Sequence, residues 1–436
     1  MNRPAAFAAV LAAGAALASP VVAAPALLAH QAPLALDPAA TAWVLTSTAL
    51  VLMMTLPGLA LFYGGMVRKK NIISVLAQST GAFALVTVLW FVAGYSLSFG
   101  RGPAPVDGLI GGLQAAFLNG VTAQTAHKLL PGLPELLFIA FQMTFAIITP
   151  ALIAGAFAER MKFSASLLFF ALWHLVVYAP ICHQVWGGGY LGSLGVLDFA
   201  GGAVVHVNAG VAGLVCALVL GPRHGFGRDN MAPANLVYSA IGTGLLLVGW
   251  LGFNAGSAGA ADALAATAAF NTILAAGAAA LGWMTLEWFD RKRPTLLGLL
   301  SGVVGGLVAI TPGAGFVDPK GAFFIGLIAG PACYAGAVWL KHALKYDDTL
   351  DAFGVHGIGG IAGALLTGLF ATTSVNALAE GAAVWKQAVG LLGAVAWSAV
   401  GTFVVLMICK FTTGLRVAKD EEVEGLDYTQ HGEAIH

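Results

Sequence analysis

The sequence predicts an all-α polytopic membrane protein: eleven transmembrane helices, built as two inverted five-helix repeats plus an eleventh helix. Three observations predict it. The composition is too apolar for a water-soluble domain, eleven apolar runs have spanning length, and a histidine-centred motif occurs twice, five spans apart. Hydrophobic residues make up 59% of the 436 residues and charged ones only 9%, against about a quarter charged in an ordinary globular domain. The mean hydropathy is +0.86. The 57 glycines are nearly double an average usage of about 7%. In lipid, such small residues let helices pack closely.

The first residues carry one Arg, an apolar run and then small residues in "ASPVVAAPALLAHQA". That is the layout of a cleavable signal peptide, residues 1–32, with cleavage expected between Ala18 and Ala32 and the mature N-terminus outside. The spans follow as runs of about 17 to 25 apolar residues broken by charges, Pro or Gly clusters. Their expected limits are 41–66, 72–98, 135–157, 163–183, 199–221, 234–256, 263–288, 296–311, 320–341, 353–371 and 384–410. Together they make a membrane domain over 41–410. Alternate loops are basic: "VRKKN", "ERMK", "PRHGFGRDN", "DRKRP" and "KHALKYDD". By the positive-inside rule these loops are cytoplasmic, which puts the N-terminus outside and the C-terminus inside. The tail, residues 411–436, is polar and acidic and by itself reads as a solvated cytoplasmic segment.

"HVNAGVAG" from His206 and "HGIGGIAG" from His356 share H-x-x-x-G-[VI]-A-G. One lies in the fifth span and the other in the tenth, so the two run in opposite directions through the bilayer. That suggests an inverted repeat, with a site at the repeat interface near the midplane. Ionisable residues inside spans are scarce and therefore informative. His206 and His356 read as a pair lining a pathway, since each neutral ring offers one donor and one acceptor nitrogen. His174, with no echo, reads as a packed, hydrogen-bonded core histidine. Asp198 precedes the glycines that open the fifth span. It reads first as an N-cap carboxylate, with long-range favouring of a cation at the outer mouth as the other reading.

Several classes are disfavoured. There is no CxxCH, HExxH or GxSxG motif, and Cys182, Cys216, Cys333 and Cys409 form no CxxC pair. No cofactor, metal or enzymatic chemistry is expected, and a net charge of zero gives no nucleic-acid footprint. No span carries a central Lys, Arg, Asp or Glu, so a pathway here must be narrow and mostly apolar. Taking a cation into such a path costs several kcal/mol. Deprotonating an amine of pKa about 8 to 10 at pH 7 costs only about 1.4 to 4 kcal/mol. A small protonated amine therefore crosses more cheaply as its neutral form.

The motifs identify the amine. "PGLALFYGGMVRKKN", "FQMTFAIITPALIAGAFAERMKF", "VWGGGYLGSLGVLDFAGGAVVHVNAG", "GWLGFNAGSAG", "DAFGVHGIGG" and the tail pieces "GLRV", "EGLD" and "HGE" resemble the ammonium transporter (Amt/Mep/Rh) family, specifically its bacterial Amt branch. The resemblance runs from about Thr41 to His436. It implies a homotrimer in the inner membrane with one pore per subunit. It further implies recruitment of external ammonium by Trp186, Phe145 and Ser257, with Asp198 beside them, and a phenyl gate of Phe145 and Phe253. His206, His356, Trp250 and Thr311 would line the pore. The family's function is ammonium uptake with conduction of ammonia, with or without separate proton transfer. Passive gas conduction and sensing through a cytoplasmic partner are the alternatives. In this family the tail packs under the trimer, and a PII signalling protein closes related transporters from the cytoplasmic face.

Overall fold

The computed structural model describes residues 36–435. The expected signal peptide, residues 1–32, lies outside the described residues. In chain order the main helices are α1 (Pro38–Met66), α2 (Lys69–Phe99), α3 (Glu135–Phe157), α4 (Phe163–Leu194), α5 (Gly202–Leu220), α6 (Leu236–Gly256), α7 (Ala263–Arg291), α8 (Leu296–Ile310), α9 (Pro319–Leu344), α10 (Phe353–Phe370) and α11 (Val384–Thr412). Among the described residues, ten of these are long and apolar enough to cross a membrane; α8 is apolar but shorter. Two short helices, α12 (Lys419–Glu424) and α13 (Leu426–His431), follow in the tail.

Local chemistry sets the helix starts. Asp37 accepts from Ala39 N and Ala40 N, with Pro38 in the first turn. Asp262, Thr295 and Asp318 each accept from a main-chain N–H three residues on. These side chains satisfy donors that the first turn leaves orphaned. Helix α4 runs beyond its expected end at 183. His183 lies in this continuation, with one ring nitrogen 3.1 Å from Ser98 O and the other 2.5 Å from Asp107 O. The helix then turns at the glycines after Trp186 and resumes over Tyr190–Leu194.

Six helices contain a wide π-turn, including Met54–Leu59 around Pro57, Gly202–Val207 and Phe353–Gly357. The last two hold the echoed histidines, and π-turns concentrate at functional sites. Helices α5 and α10 meet through their glycines. A Cβ on Gly210 would lie 2.2 Å from Gly357 N, and one on Gly360 would lie 3.1 Å from Val207 N. Only bare backbone permits so close an approach.

On the face carrying the basic loops, a buried ion network ties the helix ends together. Glu159 accepts from Arg68 main-chain N (2.7 Å) and Nε (2.8 Å) and from Arg223 Nη1 (3.1 Å). Arg223 also pairs with Asp347 at 2.8 Å, and Arg160 donates to Asp347 O and to Thr349 Oγ1. Burial alone would raise the Glu159 pKa, but Arg223 and Arg68 outweigh it and hold the carboxyl below its ordinary value. The stability it contributes is therefore complete at neutral pH and is lost as pH falls through that depressed pKa. Glu159→Ala would leave two guanidinium groups without their shared partner. A loss of about 3 to 5 kcal/mol is expected, read as a lower unfolding temperature in detergent.

The tail is not the solvated segment its charge suggests. Leu426, Glu422 and Asp427 are all buried. The reason is that its carboxylates serve as acceptors for loop backbone. Asp427 accepts from Ser74 N (2.8 Å), and Glu422 accepts from His224 N (2.6 Å) and from Arg416 (2.7 Å). Leu426 N donates to Asn71 Oδ1 at 2.9 Å, and Lys70 Nζ donates to Val423 O.

Candidate functional site

A row of aromatic rings runs through the helix bundle. Trp186, at the end of the main run of α4, meets Phe145 of α3 edge-on, with centroids 5.9 Å apart. Phe145 stacks on Phe253 of α6 at 4.2 Å and 28°. Phe253 lies 5.9 Å from the His206 ring, and His206 stacks on His356 at 5.4 Å and 19°. Trp250, almost one turn before Phe253, stacks on His206 at 5.2 Å.

Two cavities flank this row. At the helix ends opposite the basic loops lies a cavity of about 390 Å³, lined in part by Phe141, Gln142, Trp186, Asp198 and Ser257. Deeper lies a void of about 10 Å³ lined by His206, His356, Trp250 and otherwise aliphatic or phenyl side chains. Helix periodicity explains the division. Phe141 and Gln142 of α3 face the large cavity and Ile148 and Leu152 face the small one, with Phe145 between them. Helix α6 repeats the pattern, with Gly256 facing the large cavity, Trp250 and Leu246 the small one, and Phe253 between. The stacked phenyls thus stand between the two spaces. Such a pair is worth only about 0.5 to 1.5 kcal/mol beyond its burial.

Asp198 supports this row. Its Oδ1 accepts from Gly201 N (2.8 Å) and Gly202 N (2.6 Å), and its Oδ2 from Ala203 N (2.8 Å) and Val204 N (3.1 Å). All four orphan donors at the start of α5 are satisfied, and this turn carries His206. The Asp198 carbonyl accepts from Trp186 Nε1 at 2.8 Å, so one residue orients both ends of the row. Burial raises its pKa, with the four N–H groups pulling the other way. Although Asp198 lines the large cavity, its carboxylate faces the helix start.

Ser257 lines the large cavity, and its Oγ donates to Phe253 O at 2.8 Å, leaving oxygen lone pairs for an incoming donor. Thr311 lines neither cavity. Its Oγ1 accepts from Trp250 Nε1 (2.9 Å) and donates to Leu307 O (2.7 Å), which fixes the indole over His206. His174 lies outside the row, between Trp90 and Tyr178. It is buried, as expected of a core histidine, but neither ring nitrogen has a hydrogen-bond partner; its Nε2 points at the bare Cα of Gly94.

Two supporting residues were missed in the sequence. Asp348 stands eight residues before His356, as Asp198 stands eight before His206. Its Oδ2 accepts from Phe353 N at 2.7 Å, while its Oδ1 is buried without a partner. Burial, with Asp351 adding to it, pushes its pKa up to about 6. The eight-residue spacing was the available signal: the echo extends from the histidines to their capping carboxylates. Gln387 of α11 gave none. Its amide bonds both Leu197 N (2.8 Å) and Leu197 O (2.7 Å), and also Ala364 O (3.2 Å), joining the Asp198 loop to α10.

Comparison with known proteins gives one answer. The Ammonium Transporter Family model matches residues 42–435. The chain is 48% identical over 402 residues to an ammonium transporter of Bacillus subtilis, covering 89% of this chain and 96% of that one. It is 47% identical over 407 residues to an ammonium transporter of Aquifex aeolicus, covering 92% and 94%. Among solved structures it is similar to Saccharomyces cerevisiae Mep2, with a TM-score of 0.81, 37% identity and 89% of each chain covered. It also resembles a Sensor Amt Protein, with a TM-score of 0.83, 29% identity and coverage of 90% and 98%. On the strength of the family match and these identities, the chain belongs to the ammonium transporter family.

Proposed function

We propose that this chain takes up ammonium across the cytoplasmic membrane by recruiting the ion outside, deprotonating it and conducting ammonia, with the proton either returning to the outer water or crossing separately. The observation that carries the reading is the aromatic row, which ends on two stacked imidazoles beside a void of about 10 Å³. That volume holds about one molecule the size of water, which suits ammonia. Trp186, Phe145 and Ser257 form the recruitment site: aromatic faces favour a cation by about 0.5 to 2 kcal/mol, enough to collect ammonium without trapping it. Asp198 holds that site in shape. Phe145 and Phe253 are the gate. His206 and His356 line the pore and hydrogen-bond the neutral guest, with Trp250 beside them and Thr311 fixing the indole.

The same reading assigns eleven spans over 41–410, α8 being the short one, with the N-terminus outside. Residues 1–32 are a signal peptide. The tail, 411–436, lies in the cytoplasm, and the chain assembles as a homotrimer in the lipid bilayer with one pore per subunit. A PII signalling protein docks on the cytoplasmic face, where the tail is bonded to the basic loops.

Liposomes holding the full chain test the transport reading. An ammonium gradient is expected to drive saturable nitrogen uptake. An accompanying ammonium-dependent current makes the chain a charge-moving transporter; a pH change without current makes it a gas channel. Absence of both uptake and any ammonium-dependent current or pH change would overturn the proposal. Sensing through a partner is the second reading, favoured by the hydrogen bonds that tie the tail to the loops. It predicts that deleting 411–436 abolishes signalling while uptake persists.

A further inference from the structure

The large cavity has a wall that the recruitment reading does not use. The loop between α2 and α3 folds back so that His127 lines this cavity together with Phe138, Gln142, Trp186 and Ser257. The main chain fixes the residue from both sides. His127 N donates to Leu133 O (3.0 Å), Leu130 N donates to His127 O (3.3 Å), and Glu135 N donates to Thr125 O (2.8 Å). Asp37 N donates to Gly132 O (2.9 Å), anchoring the loop to the start of α1. The imidazole stacks on Phe138 with centroids 3.6 Å apart and 19° between planes, and Phe138 in turn meets Phe99 edge-on at 5.0 Å.

The ring is therefore held in one orientation, with 6% of the residue exposed, yet its Nδ1 is buried without a hydrogen-bond partner. Gln142 Oε1, on the same cavity, is also buried and unpartnered. Buried polar atoms without partners are costly. Gln142 Oε1 can only accept, and His127 Nδ1 accepts in the Nε2–H tautomer, so a guest rich in N–H groups suits this wall. Burial, with the Lys128 charge adding to it, pushes the His127 pKa down to about 4. At neutral pH the ring is thus uncharged and does not repel a cation. In either neutral tautomer it offers an acceptor nitrogen. The other ionisable side chain on the cavity wall, Asp198, already has its oxygens committed to four main-chain N–H groups.

We propose that His127 is a further substrate-contacting residue of the outer vestibule, accepting an N–H hydrogen bond from a small ammonium cation, ammonium or methylammonium, beside the Trp186 site. The assignment rests on the recruitment reading above. It makes His127 an affinity determinant: the hydrogen bond forms before the gate and is broken before the guest reaches His206.

The test is uptake of labelled methylammonium by liposomes holding the full chain, with half-saturation and maximal rate measured separately. His127→Phe keeps the stack on Phe138 and removes the acceptor. It is expected to raise the half-saturation concentration about five- to tenfold with the maximal rate held. His127→Gln, which restores an acceptor, is expected to stay within about twofold of the parent. Should the Phe variant fail to reconstitute, His127→Met carries the same expectation. An unchanged half-saturation in the Phe or Met variant overturns the proposal, as does a fall in maximal rate alone, which would mark a structural role. Trp186→Ala separates this failure from that of the recruitment reading. If it too leaves half-saturation unchanged, the vestibule is not the recruitment site. If it raises half-saturation while His127→Phe does not, only the His127 assignment falls.

Discussion

Liposomes carrying His206→Ala or His356→Ala are expected to take up methylammonium at least about tenfold more slowly than the parent, whereas His174→Ala has a smaller effect on uptake. The reason lies in the lining of the small void. Leu59, Phe62, Ile148, Leu152, Leu246 and Val304 offer no hydrogen bond and the Trp250 indole N–H is taken by Thr311, so the two imidazoles supply the hydrogen-bonding groups around it. A neutral amine leaving water for that void needs a partner there. An unsatisfied polar group costs about 1 to 3 kcal/mol, added directly to the barrier. The His174 ring is packed between Trp90 and Tyr178, away from the row, and its removal costs packing instead. If His174→Ala abolishes uptake while both other changes are silent, the pore assignment is wrong.

The second large effect is expected at Asp198. Asp198→Ala strands four main-chain N–H groups at the start of the turn that carries His206 and unsettles the loop whose carbonyl holds Trp186. Loss of uptake is expected together with a loss of about 3 kcal/mol or more in stability, read as a lower unfolding temperature. Asp198→Asn, keeping one acceptor oxygen, is expected to fall between the parent and the alanine variant on both measures. The rival role, favouring a cation by charge alone, predicts something else: both variants lose uptake while the unfolding temperature stays put.

The two histidines were legible in the sequence because one motif, H-x-x-x-G-[VI]-A-G, occurs twice, and its two copies meet through their glycines. Their capping carboxylates were equally periodic, eight residues upstream, but only Asp198 drew notice because glycines follow it. Asp348 sits instead in a loop rich in charge, where one more aspartate stands out less. His127 gave no signal at all. It lies in a loop without periodicity, between Ala126 and Lys128, and only the return of that loop across the cavity brings it beside Trp186. The tail misled for a related reason. Charge density predicts solvation when carboxylates have no partners, but here they find main-chain donors on loops about 200 and 350 residues away in the chain.

Sequence alone determined the helical class, the approximate span limits and the pairing of the two histidine segments. Each rests on a local property: hydropathy over a spanning length, or a pattern repeated within one chain. Only the tertiary structure decided that phenyls from α3 and α6 meet at 4.2 Å between a cavity and a void, that Thr311 stands behind Trp250, and that the tail docks on the loops. Those facts depend on which distant segments approach one another, and close packing of side chains across helices leaves no periodic trace in any one of them.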